Sequence, residues 1–227
     1  MRVKIYQINS ERDEKREKFL GMDAREQLTL PQTINPAIYD EVFSAEIDES
    51  GPEKIYRRFN TEGHPLYRGH SLSVSDVVVT ENGVYFCDDV GFRQIDFDET
   101  QTQKPDNLMR VVYVEPGRPA YEAEIAHDIH AEQKAVGGLI ECVYTEDDDI
   151  AIVCNDESKL LGMEGNRRLN NGRTVIAGPF FVCGLTEDDF RGLTEQEAQT
   201  YLERFAQPED ISQDEVESNM GFSIYVF

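Results

Sequence analysis

The sequence predicts an α+β protein of two small domains, each a mostly antiparallel sheet with one or two packed helices. Three observations carry this. The chain opens twice in the same way: Arg2-Val-Lys-Ile-Tyr and Arg110-Val-Val-Tyr-Val are both short alternating starts. Between them, residues 96–107 are polar, with almost nothing to bury. In both halves, short apolar runs are separated by turn residues. The expected boundaries are a first domain over 1–98, a linker over 99–108, a second domain over 109–206, and an acidic tether with a terminal strand over 207–227.

In the first half, Val3, Ile5 and Ile8 with Tyr6 mark an opening strand. Glu11 to Lys18 is a dense mixed-charge run, either a solvated helix started by Ser10 or an exposed loop. Pro31 and Pro36 impose irregular structure. Tyr39 to Ile47 alternates as a second strand, which puts Glu41 on the apolar side. Pro52 to Phe59 is a short helix, with Ser50 as N-cap and Glu53 completing a capping box. Its buried face would be Ile55, Tyr56 and Phe59. Leu72 to Val79 and Val84 to Cys87 form a hairpin, with Asn82-Gly83 supplying the positive φ angles of its turn.

In the second half, Arg110 to Glu115 is a strand and Pro116 to Pro119 a turn. Glu122 to Val136 is expected to be a helix, with Ile125, Ile129, Ala135 and Val136 on one face and Gly137-Gly138 as its stop. Leu139 to Tyr144 and Ile150 to Cys154 form a hairpin around an acidic turn. Residues 155–173 make a long loop rich in Asn and Gly. Thr174 to Ala177 and Phe180 to Cys183 frame Gly178-Pro179, and Thr194 starts a helix that runs to Phe205. Phe222 to Phe227 is too apolar to dangle and is expected to add to a sheet.

Composition excludes several function classes. The 45 acidic and 22 basic residues give a net charge of −23. Residues 1–104 carry 13 basic and 20 acidic groups, or −7; residues 105–227 carry 9 and 25, or −16. Such a field repels nucleic acid and anionic lipid and favours a protein partner with a basic surface. Phosphate-backbone binding needs clustered cations, and only Lys54/Arg57/Arg58 and Arg167/Arg168 come near that. Direct nucleic-acid or membrane binding is not expected. The simplest reading of the acidity is solubility. Cys87, Cys142, Cys154 and Cys183 sit in apolar runs at least 12 residues apart, without metal-knuckle or redox spacing. They read as buried free thiols of a cytoplasmic protein. No signal-peptide core and no membrane-length apolar run is present.

Four constellations could carry chemistry. His127 and His130, at i and i+3, could share a metal; without further ligands they read as an exposed polar face, and no metal or cofactor is expected. His64, His70, Ser71, Ser73, Ser75 and Asp76 offer the residue types of a hydrolase triad. Triads rest on geometry, no Gly-x-Ser-x-Gly elbow exists, and alternating serines more simply face a strand outward, so no catalytic residue is assigned. Asn155, Asp156, Asn166 and Arg167 concentrate recognition groups in the loop 155–168: Arg suits anions and Asn suits amides or bases. The competing reading is that they only hold turns together. Last, Glu146 with Asp147, Asp148 and Asp149, Glu187 with Asp188 and Asp189, and the acids of the tether could imitate the charge array of duplex DNA. The competing reading there is a solvated surface.

Residues Ile55-Tyr-Arg-Arg-Phe-Asn, Arg68-Gly-His-Ser-Leu-Ser-Val-Ser-Asp-Val-Val, Tyr85-Phe-Cys-Asp and Gly91-Phe resemble the YodL-like family over about 3–96. Val114-Glu-Pro-Gly-Arg-Pro, Gln133-Lys-Ala-Val-Gly-Gly, Cys154-Asn-Asp-Glu-Ser-Lys-Leu-Leu-Gly-Met, Asn166-Arg-Arg-Leu, Ile176-Ala-Gly-Pro-Phe-Phe and Asp189-Phe-Arg-Gly-Leu-Thr resemble the domain-of-unknown-function family 3846 over about 109–206. The two resemblances imply a mobile-element accessory protein, carried by conjugative elements or phages, and assign no reaction. The expected function is therefore a non-enzymatic accessory protein that acts by protein binding, as an acidic DNA mimic or anti-defence factor. The alternative is a small-ligand or nucleotide-binding module, or an enzyme, using the loop 155–168.

Overall fold

The computed structural model describes residues 1–144, 149–170 and 172–220. The chain divides into two compact units, Met1–Asp106 and Asn107–Phe227. Both are α+β with antiparallel sheets.

The first unit is a five-stranded sheet. Its strands are β1 (Arg2–Ile8), β2 (Tyr39–Glu46), β3 (Val77–Thr80), β4 (Gly83–Cys87) and β5 (Phe92–Gln94), in the order β2-β1-β3-β4-β5. Helix α1 (Met22–Gln27) lies in the irregular stretch between β1 and β2, and α2 (Pro52–Thr61) follows β2. The α2 residues Ile55 and Phe59 are buried, with Phe59 edge-on to Phe43 at 4.8 Å. Tyr6, Ile8, Met22, Ile38, Tyr39, Val77 and Phe86 fill a second cluster. Glu41 is buried on β2, as the alternation predicts, and accepts from the Tyr6 hydroxyl at 3.2 Å.

Local chemistry departs from expectation at four places here. The charged run 11–18 forms turns, and its Glu17 is buried against Arg25 at 2.6 Å. Helix α2 is capped by Gly51 at φ 93 with Pro52 inside it, so the Ser50–Glu53 capping box does not form. The hairpin turn is Glu81-Asn82, because Thr80 pairs with Gly83 and the Thr80 hydroxyl accepts from the Asn82 N–H at 3.1 Å. The strand before it begins only at Val77: Ser75 has φ 78, and Asp76 Oδ2 accepts from the Ser73 N–H at 2.8 Å, which folds the serines into a turn.

The segment after β5 is not a free tether. Asp98 caps a short 3-10 turn over Glu99–Gln101. Glu99 accepts from Lys4 at 2.7 Å and from the Tyr6 hydroxyl at 2.6 Å. Gln103 exchanges backbone bonds with Tyr39 and Glu41 on β2. These bonds are polar, so no hydrophobic signal announced them.

The second unit is a six-stranded sheet. Its strands are β6 (Leu108–Val114), β7 (Tyr121–Ala126), β8 (Ile140–Tyr144), β9 (Ile150–Asn155), β12 (Phe180–Leu185) and β13 (Phe190–Arg191). The order is β7-β6-β12-β9-β8, with β13 also paired to β12. A two-stranded hairpin, β10 (Gly165–Leu169) and β11 (Thr174–Ala177), stands apart. Helix α3 (Ile129–Val136) covers one sheet face, where the Tyr113 hydroxyl donates to the Ala135 carbonyl at 2.6 Å. On the other face, α4 (Glu195–Arg204) and the hairpin pack on Val112, Val114, Ile152, Phe180 and Val182.

Residues 122–136 are not one helix. Tyr121, Ala123 and Ile125 are buried while Glu122, Glu124 and Ala126 are half-buried, a period of two that makes β7 a strand. Helix α3 starts only after Asp128, whose carboxylate accepts from the His130 and Ala131 N–H groups, and Ile129 is left exposed. Gly137 ends it at φ 76, as predicted. The loop 155–168 contains the start of β10. The acidic tether folds as well: helix α5 (Gln213–Ser218) places Val216 beside Ile211, Val175 and Ala177. Gly165 permits this, since a Cβ there would meet Ile211 Cγ2 at 2.6 Å. The expected strand Phe222–Phe227 lies outside the described residues, as do Glu146, Asp147 and Asp148.

Candidate functional site

The four residues singled out in the loop 155–168 separate into two pairs. Asn166 and Arg167 point into the protein from β10 and are fully buried. Asn166 Nδ2 donates to the Val114 carbonyl at 3.0 Å and the Gly178 carbonyl at 2.8 Å. Arg167 donates to the carbonyls of Asn166, Arg118 and Phe205 at 2.9, 2.6 and 3.0 Å, and to Asn166 Oδ1 at 2.9 Å. Burial pulls the Arg167 pKa down, and Glu209 acts in the opposite direction. The guanidinium is spent on backbone carbonyls, so it ties β10 to the β6–β7 turn and the end of α4.

Asn155 and Asp156 lie elsewhere, at the end of β9, in the wall of a cleft of about 320 Å³. Glu141 and Val143 of β8, Ser158 and Leu160 of the following turn, and Thr174 to Ile176 of β11 complete most of the lining. Asn155 is itself a turn-former: its Oδ1 accepts from the Glu157 N–H at 2.8 Å. Lys159 is drawn onto Asn219, 2.8 Å from Oδ1 and 3.2 Å from the carbonyl. Burial pushes the Cys154 thiol up to about 12, which keeps it protonated and un-nucleophilic at neutral pH. Ser158 is 5 % exposed. Beside the cleft, Leu139, Leu160 and Leu161 are 57, 66 and 60 % exposed. Leu160 and Leu161 fall in turns, where apolar periodicity gives no signal, and Leu139, read as the first residue of a strand, lies just before β8 begins at Ile140.

The acidic surface residues Asp149, Glu187, Asp188 and Asp189 gather at one end of the sheet, where the Leu185 N–H donates to the Asp149 carbonyl at 2.7 Å. Asp189 lies 3.2 Å from His127 Nε2, and the Phe190 N–H and His127 hold its carboxyl below the usual range. His130 is exposed on the first turn of α3. Other carboxylates are neutralised locally. Arg168 takes Glu209 at 2.8 Å and Glu215 at 2.6 Å, and Arg191 takes Glu197 at 2.8 Å. Among the described residues, no group of three or more His, Cys, Asp and Glu is placed to hold a metal ion. None of the described helices is long and apolar enough to cross a membrane.

In the first unit the triad-like residues form a different arrangement. His64 is edge-on to Phe43 and stacked on Phe59. Gln7 is the hub of a buried network. Its Nε2 lies 2.8 Å from Asp76 Oδ2, 2.9 Å from the His70 carbonyl and 3.0 Å from the Tyr67 hydroxyl, and its Oε1 accepts from the His70 N–H at 3.0 Å. Ser75 Oγ accepts from the N–H of Phe19, and both residues hold positive φ. Asp76 is therefore bonded to Gln7 and Ser73, and the described contacts include no hydrogen bond between a serine hydroxyl and a histidine base. Burial raises the Asp76 carboxyl to about 7, against the lowering effect of its Ser73 and Gln7 hydrogen bonds.

Comparison with known families agrees with this division. Residues 2–97 match the YodL-like domain, and residues 109–206 match Domain of unknown function (DUF3846). No curated protein and no solved structure matches the chain.

Proposed function

We propose, for a chain that carries a YodL-like domain followed by a DUF3846 domain, a non-enzymatic accessory role in bacterial mobile elements, exercised in the cytoplasm by binding a protein with a basic surface. One observation carries the reading: the exposed Leu139, Leu160 and Leu161 stand beside a cleft bordered by the exposed carboxylates Glu141 and Asp156. Apolar side chains grouped beside charge are what a protein-binding patch presents. The charge of −16 on residues 105–227 supports a basic partner. The order of the two domains supports the mobile-element setting through the resemblance given above. Imitation of DNA is the narrower form of the same reading, and it would use Asp149 and Glu187 to Asp189.

The test is affinity capture from bacterial lysate at low salt, followed by titration of the purified pair at rising ionic strength and with duplex DNA as competitor. Binding should weaken steeply as the screening length shortens to about 8 Å at physiological salt. Competition by DNA is the outcome that supports mimicry. An affinity indifferent to salt rules out the acidic surface as the contact. The small-ligand alternative retains the cleft itself, whose volume of about 320 Å³ is that of a small pocket. It retains Asn155 and Asp156 but no longer draws on Asn166 and Arg167, and saturable binding of a small molecule without any captured protein would favour it.

A further inference from the structure

We infer that the cleft beside β8 receives a lysine or arginine side chain, carried on an extended segment that adds as a strand to the β8 edge. The inference rests on the protein-binding reading and names its contact. Strand β8 ends the six-stranded sheet, and among the described residues only β9 pairs with it. Every second backbone N–H and C=O of β8 thus has no strand partner among the described residues, the usual template for strand addition. Glu141 and Val143 lie on one face of β8, and both line the cleft. A strand laid against β8 sends alternate side chains to that same face.

The lining selects the side chain. The half-buried Val143 and Met220 offer apolar surface for an aliphatic stem. Glu141 and Asp156 are exposed carboxylates without an ion pair or hydrogen bond to their side chains among the described residues, and Ser158 adds a hydroxyl to the lining. Lys159 brings one positive charge to the lining, but its ammonium is already drawn onto Asn219. Apolar walls with two carboxylates and a hydroxyl suit a cation on an alkyl stem and repel an anion. Leu139, Leu160 and Leu161 are left to cover apolar side chains that flank the cation.

The test uses the full chain, labelled with nitrogen-15 and titrated with a blocked five-residue peptide of alternating valine and threonine around a central lysine. Controls are the norleucine peptide and butylammonium alone. The lysine peptide should shift the amides of residues 140–144 and 156–159 at lower concentration than either control. The E141Q/D156N double variant alters two exposed side chains and should weaken binding about fivefold. N-methylation of alternate peptide amides should abolish binding in one register and spare it in the other, which a purely electrostatic contact would not do. Equal binding of the norleucine peptide removes the cation; equal binding of butylammonium removes the strand. Binding seen only after residues 221–227 are deleted would make the chain's own end the occupant and overturn the inference. A protein partner captured equally by wild type and E141Q/D156N overturns this inference alone, whereas no captured partner overturns the reading beneath it.

Discussion

Arg167 and Asp76 show how the same residue types can be legible and yet misplaced. Arg167 stood out in sequence as a cation among Asn and Gly, and it is a buried clamp on three backbone carbonyls. Sequence gives residue type and neighbours along the chain; it does not say that Arg118 and Phe205 will arrive to receive the guanidinium. R167M should destabilise the second unit by about 3 kcal/mol, because four hydrogen bonds of a buried guanidinium are lost, and only the Phe205 carbonyl is known to keep another donor, the Ala120 N–H. R167K should recover little of this, since an ammonium lacks the planar fork. Chemical denaturation checks both, and an R167M protein of wild-type stability would show the clamp to be idle.

Asp76 gives the pH prediction. Its folded-state pKa of about 7 lies above the usual carboxylate value because burial disfavours the charge. Between about pH 4 and pH 7 the folded protein retains a proton that the unfolded chain has released. Stability should therefore fall as pH rises through that window and level off above it, and D76N should flatten the slope. Unfolding free energies measured from pH 4 to 8 on both proteins test this; parallel curves would refute it. The motif around Asp76 was recognisable in sequence, but its hub, Gln7, lies on β1, far away in sequence, and had no signal of its own.

At the scale of elements, the antiparallel pairs were the readable part. The β3–β4 and β8–β9 hairpins and the alternation of β2 follow from period-two patterns and turn residues. Strand β7 was lost because Glu122 and Glu124 alternate with small or aliphatic residues in a way that also fits one side of a helix. Helix α5 was lost because Val216 is its one buried residue, and a single apolar position sets no period. The packing of α5 and the cap of α4 each predict something measurable. V216A should cost about 2 kcal/mol by opening a cavity against Val175 and Ala177. The α4 cap is local: the Glu197 N–H donates to the Thr194 hydroxyl at 3.3 Å, and the Thr194 N–H donates to Glu197 at 2.8 Å. T194A should cost about 1 kcal/mol. Thermal unfolding of the two variants tests both, and a neutral V216A would mean that α5 does not hold the hairpin β10–β11.

At the scale of the whole molecule, two separate cores follow from two separate sets of apolar runs, and each unit should fold when expressed alone as residues 1–106 or 107–227. Dispersed amide spectra would show it. The junction was read as a polar linker over 99–108, and within it Glu99 and Gln103 are bonded to β1 and β2. Limited proteolysis should spare 99–103 and cut closer to 105–107. Cleavage first within 99–103 would show that those bonds do not persist in solution.

The clamp also sets a timetable for synthesis. A ribosome releases the chain from its N-terminus, so residues 1–106 can complete their sheet while the second unit is still being made. The second unit has no such freedom. Arg167 emerges after Arg118 but well before Phe205, whose carbonyl completes the clamp and whose ring packs on Phe180 at 5.3 Å. Until α4 is out of the exit tunnel, that guanidinium must remain hydrated and the face of the sheet beneath it uncovered. A nascent chain stalled before residue 205 should therefore display a folded first unit and a protease-sensitive second one, with the growing polypeptide exposed to chaperones for the time α4 takes to arrive.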